Sequence, residues 1–110
     1  MSYKIVYTQE SEQDLINIYR YIAINLSVPE TAKKQTDRIM NAIKGLNEMP
    51  LRHKLYQNEP WHSKGLRVLP VDNYLVFYIV AGEEETVAIV RIMYGGRNIE
   101  LQLSNTKNTD

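Results

Sequence analysis

The sequence predicts an α+β domain of order β-α-α-β-β-β, in which an antiparallel-rich sheet is covered on one face by a helical hairpin. Three observations carry that reading. Residues 68–71, 74–80 and 86–94 are short apolar runs rich in β-branched and aromatic residues, separated by turn formers, the pattern of three consecutive antiparallel strands. Upstream, two stretches repeat apolar residues every three or four positions, the period of amphipathic helices. At the start, Tyr3, Ile5 and Tyr7 alternate with Lys4 and Val6, which marks an opening strand.

Thr8 and Ser11 both qualify as caps for the first helix, and Glu10, Glu12 and Asp14 put negative charge near its positive end. Its inward stripe reads Leu15, Ile18, Tyr19, Ile22 and Leu26, with Gln13, Asn17 and Arg20 facing away. Ser27-Val28-Pro29-Glu30 has the form of a capping box with proline in the first turn, so a second helix follows at once. Ala32, Thr36, Ile39, Ile43 and Leu46 form its inward stripe, and Lys33, Lys34, Asp37, Arg38 and Lys44 its solvated side. Gly45 leaves two ends open, there or at Met49 before Pro50. Residues 51–64 show no period and read as a long loop, of the length that in a compact domain is functional or mobile. Beyond the meander, residues 99–103 suit one helical turn. The single domain is thus expected over residues 1–103, with residues 104–110 a polar, disordered tail.

Composition narrows the function classes. At 110 residues, 44% hydrophobic and 24% charged, the chain is long enough for one core. No apolar run approaches a membrane span and the N-terminus has no signal-peptide pattern, so the expected location is cytoplasmic, with no membrane partner. The absence of cysteine excludes disulfides, thiolate catalysis and cysteine-based zinc sites, leaving His53 and His62 as soft ligands, and neither a metal nor a cofactor is expected. Thirteen basic residues balance thirteen acidic ones, which excludes a strongly basic nucleic-acid footprint. Setting aside the Glu83-Glu84-Glu85 hairpin tip leaves an excess of three positive charges elsewhere.

Both sides of the last two strands are apolar: Leu75, Phe77 and Ile79 against Tyr74, Val76, Tyr78 and Val80, then Ala88, Val90 and Ile92 against Val87, Ile89, Arg91 and Met93. Two helices cover one face, so the other is expected to stand bare and to need a partner.

In order along the chain, Gly65-Leu66-Arg67-Val68-Leu69-Pro70-Val71, Tyr74-Leu75-Val76-Phe77-Tyr78 and Val90-Arg91-Ile92-Met93-Tyr94-Gly95-Gly96-Arg97-Asn98 follow a strand and a helical hairpin. The chain thereby resembles the RelE/ParE toxins of bacterial type II toxin-antitoxin systems, over residues 3–103. The resemblance implies a growth-inhibiting toxin, of the kind that stabilises plasmids, wrapped by a cognate antitoxin in a hetero-oligomer. It implies one of two activities. RelE-like members cut mRNA in the ribosomal A site, and on that branch Glu59 would be the base, Tyr94 and Arg97 the terminal-strand tyrosine and following arginine, and Arg67 and Arg91 phosphate contacts. ParE-like members inhibit DNA gyrase by binding, with Arg67, Tyr94 and Arg97 near the contact surface.

Departures from the nuclease pattern favour the ParE-like branch. Tyr74 or Leu75 stands where the nucleases carry an arginine, and Met93 where one subgroup carries a histidine. A third alternative is an inactive member that keeps only antitoxin binding. Each residue also has a purely structural role open to it: Arg91 paired with a glutamate or packed along the sheet, Arg67 in a cross-strand pair, Glu59 decorating a loop, Tyr94 capping the core, Trp61 a lid over the core edge.

Overall fold

A computed structural model describes residues 2–96 and 98–106. The elements run β1 (Lys4–Tyr7), α1 (Gln9–Arg20), a π-helical segment (Tyr21–Asn25), α2 (Pro29–Lys44), two 3-10 turns (Gly45–Asn47 and Pro50–Arg52), β2 (Arg67–Val71), β3 (Tyr74–Ala81), β4 (Thr86–Tyr94) and α3 (Ile99–Ser104). The four strands form one sheet in the order β1-β4-β3-β2. β2, β3 and β4 are the expected antiparallel meander, while β1 returns to lie parallel to β4, pairing Lys4 with Thr86 through Tyr7 with Ile89.

Local chemistry accounts for each boundary. Of the two cap candidates before α1, Thr8 is the cap, its side chain accepting from the Ser11 N–H, while Ser11 is buried and donates its hydroxyl to the Thr8 carbonyl at 2.8 Å. Pro29 opens α2 as expected, but the residue at the cap is Val28 and no side chain caps the helix. The anticipated capping box does not form because Ser27 takes a left-handed φ of 57° and turns its hydroxyl back to the Ile24 carbonyl. α2 ends at Lys44, with Gly45 passing into a 3-10 turn. The Asp72-Asn73 turn joins β2 to β3 with Asp72 at φ 55°, and its carboxylate receives a bidentate Arg38 pair and a Gln35 hydrogen bond from α2.

Against the sheet, the helical hairpin buries Ile39, Ile43, Leu46, Leu69, Val71, Val76, Tyr78, Val87, Ile89 and Ile92. The inward stripe of α2 is as expected, and that of α1 holds at Leu15, Ile18 and Ile22 but not at Tyr19 and Leu26. Tyr19 is 41% and Leu26 53% exposed; at Leu26 the cause is the preceding π turn, which widens the helix and rotates the residues after it out of phase with the sheet. A bulge in β4 also shifts phase: Phe77 faces Arg91 and Tyr78 faces Ile89, so Val90 is the extra residue and turns to the opposite face with Met93.

The expectation of a bare second face is overturned. Trp61, Leu66, Phe77, Val90, Met93 and Leu103 form a second core, with Tyr56, Val68, Leu75, Ile79 and Ile99 packed against it. The loop before β2 and helix α3 therefore seal that face from within the chain. Glu100 of α3 accepts from the Tyr56 hydroxyl and the Asn58 amide, latching helix to loop. Order also persists past the boundary expected at Leu103: α3 runs to Ser104 and Thr106 is buried. Of the expected tail, residues 107–110 lie outside the described residues.

The outer edge, β2, is blunted. The Val68 N–H points outward to the Lys54 carbonyl, so by alternation position 70 points outward too, and there the proline has no N–H to offer. No helix among the described residues is long and apolar enough to cross a membrane.

Because Trp61 is the largest side chain closing the second face, Trp61→Ala is expected to destabilise the fold by about 3–5 kcal/mol in urea unfolding. A loss under about 1 kcal/mol would show that the loop does not seal the face.

Candidate target-binding site

The far end of β4 outruns β1. Past Ile89 the strand has no neighbouring strand on that side among the described residues, and side chains of Thr8 and Asp14 take over its hydrogen bonding: the Thr8 hydroxyl donates to the Val90 carbonyl at 3.0 Å and Asp14 accepts from the Ile92 N–H at 2.8 Å. The same carboxylate holds Arg91 in a bidentate pair, Nε to Oδ2 at 2.7 Å and Nη2 to Oδ1 at 2.9 Å. Arg91 Nη1 donates to the Gln102 carbonyl and the Thr106 hydroxyl, so one guanidinium ties α1, β4 and α3 together. Both partners are largely buried, at 13% and 11% side-chain exposure.

Above this clasp opens a cleft of about 690 Å³ between the end of the hairpin and the last residues of β4. Its walls are Ile18, Tyr21, Leu26 and Val28, interspersed with the uncharged amides of Asn17, Gln35, Asn73 and Gln102. Asn17, expected to face away from the fold, lines it because Asp14 and Ile18 already do so on the same helical face. Ile92, Met93 and Tyr94 form the floor.

Tyr94 stands at the rim, 48% exposed, its ring edge-on to Tyr74 at 5.8 Å. The turn after it is held by the Gly95 N–H donating to the Asn73 carbonyl at 2.8 Å. A Cβ on Gly96 would fall 2.5 Å from Tyr94 Cε2, so the ring can lie where it does only over a residue without a side chain.

Of the other expected site residues, Arg91 lines the same cleft as Tyr94, whereas Arg67 and Glu59 lie away from it. Arg67 faces Tyr78, four residues along β3 from the Tyr74 that faces Tyr94, a separation of roughly 13 Å along the strand. Arg67 Nη1 donates to the carbonyls of Leu51 and His53, at 3.2 and 2.7 Å, rather than joining a cross-strand ion pair. Glu59 is 61% exposed on the loop that covers the opposite face, where its carboxylate accepts from the Ser63 N–H and hydroxyl. Those Ser63 hydrogen bonds hold its pKa below the usual carboxylate value, which weakens it as a base. Arg91 has given its donors to Asp14, Gln102 and Thr106, the structural role the sequence left open, with an aspartate in place of the expected glutamate. Arg97 lies outside the described residues. Among the described residues no group of three or more histidine, aspartate or glutamate side chains could hold a metal.

Under the hairpin, Tyr78 is buried and donates to the Pro50 carbonyl at 2.6 Å, and His53 stands edge-on to its ring at 6.3 Å. His53 Nε2 is buried without a hydrogen-bond partner. Burial, then the neighbouring Arg52 charge, push its pKa below the ordinary 6.5 of histidine.

Sequence reasoning missed Asp14, Tyr21 and Val28. The signal for Asp14 was Arg91 itself, since a guanidinium inside an apolar strand needs a carboxylate near the start of a packed helix. Tyr21 and Val28 carried no signal, because the π turn that swings them into the cleft has no motif.

A four-stranded mixed sheet with two helices packed on one face matches the RelE/ParE toxin folds. The chain matches the family of the ParE toxin of type II toxin-antitoxin system, parDE, over residues 5–99, and belongs to that family. It is thus a toxin of a type II toxin-antitoxin system. Among solved structures it is similar to the chromosomal ParDE system of P. aeruginosa, at TM-score 0.68 and 23% identity, covering 84% of this chain and 96% of that one. It is also similar to the RelBE2 toxin-antitoxin complex of Mycobacterium tuberculosis, at TM-score 0.62 and 21% identity over 86% and 92% of the two chains. A mutant of the E. coli toxin RelE in the free state gives TM-score 0.64 and 10% identity over 93% of each. At such identities these structures share the fold. No protein of curated function matches the sequence.

Two outcomes follow from the site. Asp14→Ala is expected to lose about 3 kcal/mol of unfolding free energy, since it strands a buried guanidinium and the Ile92 N–H, and Arg91→Met in the same chain should return part of the loss. His53 binds a proton more readily unfolded than folded, so its contribution to stability is intact above 6.5 and lost as pH falls through its lowered folded pKa. Wild-type stability should fall over that window and His53→Leu should flatten it, measured by urea unfolding across pH.

Proposed function

We propose that this toxin acts by binding, as an inhibitor of DNA gyrase, and that a cognate antitoxin neutralises it. The observation that carries the reading is the dispersal of the groups a nuclease would need. Glu59 sits on the loop over one face, with its carboxylate engaged by Ser63. Arg67 lies roughly 13 Å along the sheet from Tyr94, on backbone carbonyls, and Arg91 is closed into a pair with Asp14. Cleaving RNA by 2′-hydroxyl attack needs a base and cationic groups converging on one phosphate, whereas inhibition by binding needs only a presented surface. Tyr94, with its half-exposed ring at the mouth of an apolar cleft, is such a surface. The ParE family match over residues 5–99 supports the same branch. The antitoxin follows from membership in a two-component family, and relatives of this fold from M. tuberculosis and Pyrococcus horikoshii OT3 are described as complexes of toxin with antitoxin.

Purified protein is expected to inhibit gyrase supercoiling or to trap cleaved DNA at stoichiometric excess, and Tyr94→Ala to weaken that effect by about tenfold, near 1.4 kcal/mol of binding. Programmed ribosomes should show no codon-specific cuts by toeprinting. Cuts that depend on Glu59 would replace this reading with the endoribonuclease one, and normal growth of cells making soluble protein without antitoxin would indicate an inactive member.

A further inference from the structure

Two features fix the pose of the Tyr94 ring. The first is Tyr74, its partner across the β3–β4 pair, which packs against the core and meets the ring edge-on at 5.8 Å. The second is the turn after the strand, where the Gly95 N–H donates to the Asn73 carbonyl at 2.8 Å and the next residue, Gly96, lies against the ring. A Cβ on Gly96 would have three ring atoms as its nearest neighbours beyond the adjoining residues, Tyr94 Cε2 at 2.5, Cδ2 at 3.2 and Cζ at 3.5 Å. The backbone does not ask for glycine at this position. Among the described residues Gly65 is the glycine in the left-handed region, at φ 81°, and Gly96 lies outside that region. The demand for a residue without a side chain comes from the ring.

We propose that Gly96 is a positioning residue for Tyr94: its missing side chain leaves the space in which the ring rests on Tyr74, presented to the target in one pose. This rests on the reading of Tyr94 as part of the target-binding surface. A half-exposed ring without a brace must be ordered when it binds, whereas a braced ring is presented at lower entropic cost. A methyl at position 96 does not break the fold, because what it meets is the outer end of a side chain and neither backbone nor core. It pushes the ring off Tyr74 instead, leaving Tyr94 its chemistry without its place. Gly95 is a different case. Its Cβ would meet the Asn73 carbonyl at 3.3 Å and the Leu75 side chain, so alanine there presses on the turn itself.

Wild type, Gly96→Ala, Tyr94→Ala and the double variant are compared in growth arrest of cells at matched soluble protein and, once purified, in gyrase supercoiling. Gly96→Ala should weaken the effect about threefold to tenfold, lose the Tyr74–Tyr94 ring contacts seen by NOE, and keep the wild-type urea midpoint. Gly82→Ala, at a position where a Cβ meets nothing within 4 Å, should match wild type throughout. The deciding comparison is the double variant. It should be no weaker than Tyr94→Ala alone, because without the ring a methyl at position 96 has nothing to displace. Gly96→Ala at full potency, or a double variant weaker than Tyr94→Ala, overturns the positioning role, the second result placing the effect in the turn backbone. Growth arrest that follows the expected pattern from a chain that leaves gyrase unaffected supports the role and discards the gyrase reading alone. A wild-type chain that does not arrest growth overturns both.

Discussion

The ion pair between Asp14 and Arg91 is the constraint on which the rest of the molecule depends. One carboxylate, nearly removed from solvent, satisfies a buried guanidinium and closes the backbone of the strand that carries it. Through that arginine the first helix, the last strand and the C-terminal helix become one unit. Neither charge is tolerable alone in that environment, so the pair specifies the register of α1 on the sheet more than it adds net stability. It also decides the chemistry of the cleft above it, by removing from use the two charges that the cleft would otherwise present.

That reading changes what the apolar strands mean. Their double-sided hydrophobicity suggested a face awaiting a partner, yet the chain supplies its own cover from a loop anchored by Trp61 and from α3, fastened by Glu100. Exposed apolar surface lies instead at the end of the hairpin, where Tyr21 and Leu26 are each more than half exposed. Exposed apolar surface therefore gathers at the element that departs from α-helical geometry, while the regular elements are consumed by the two cores.

Much of the fold was legible because it rests on periodicity. The meander follows from β-branched runs broken at Asp72-Asn73 and Glu83-Glu84-Glu85, and α2 from a stripe that is buried at Ala32, Thr36, Ile39, Ile43 and Leu46. What stayed hidden depends on departures from period. The bulge at Val90 exchanges the faces of β4 partway along, and the π turn rotates Leu26 from the core to the surface. The candidate site was legible at Tyr94, its glycines and Arg91. Arg67 and Glu59 have local backbone and side-chain partners that no spacing announces, and the loop carrying Glu59 has no period from which its cover of the second core could be inferred.

The parallel return of β1 to β4 governs how the chain comes into being. Among the described residues, residues 4–7 acquire their strand neighbour from residues 86–89, a pairing between segments far apart in sequence. Hairpins β2–β3 and β3–β4 close over short turns, but β1 must wait for β4 before it has a strand to dock on. The same delay applies to Asp14, which meets Arg91 only once β4 exists. A nascent chain stopped short of β4 therefore holds neither the clasp nor the cleft, and the intact surface is a property of the finished product alone.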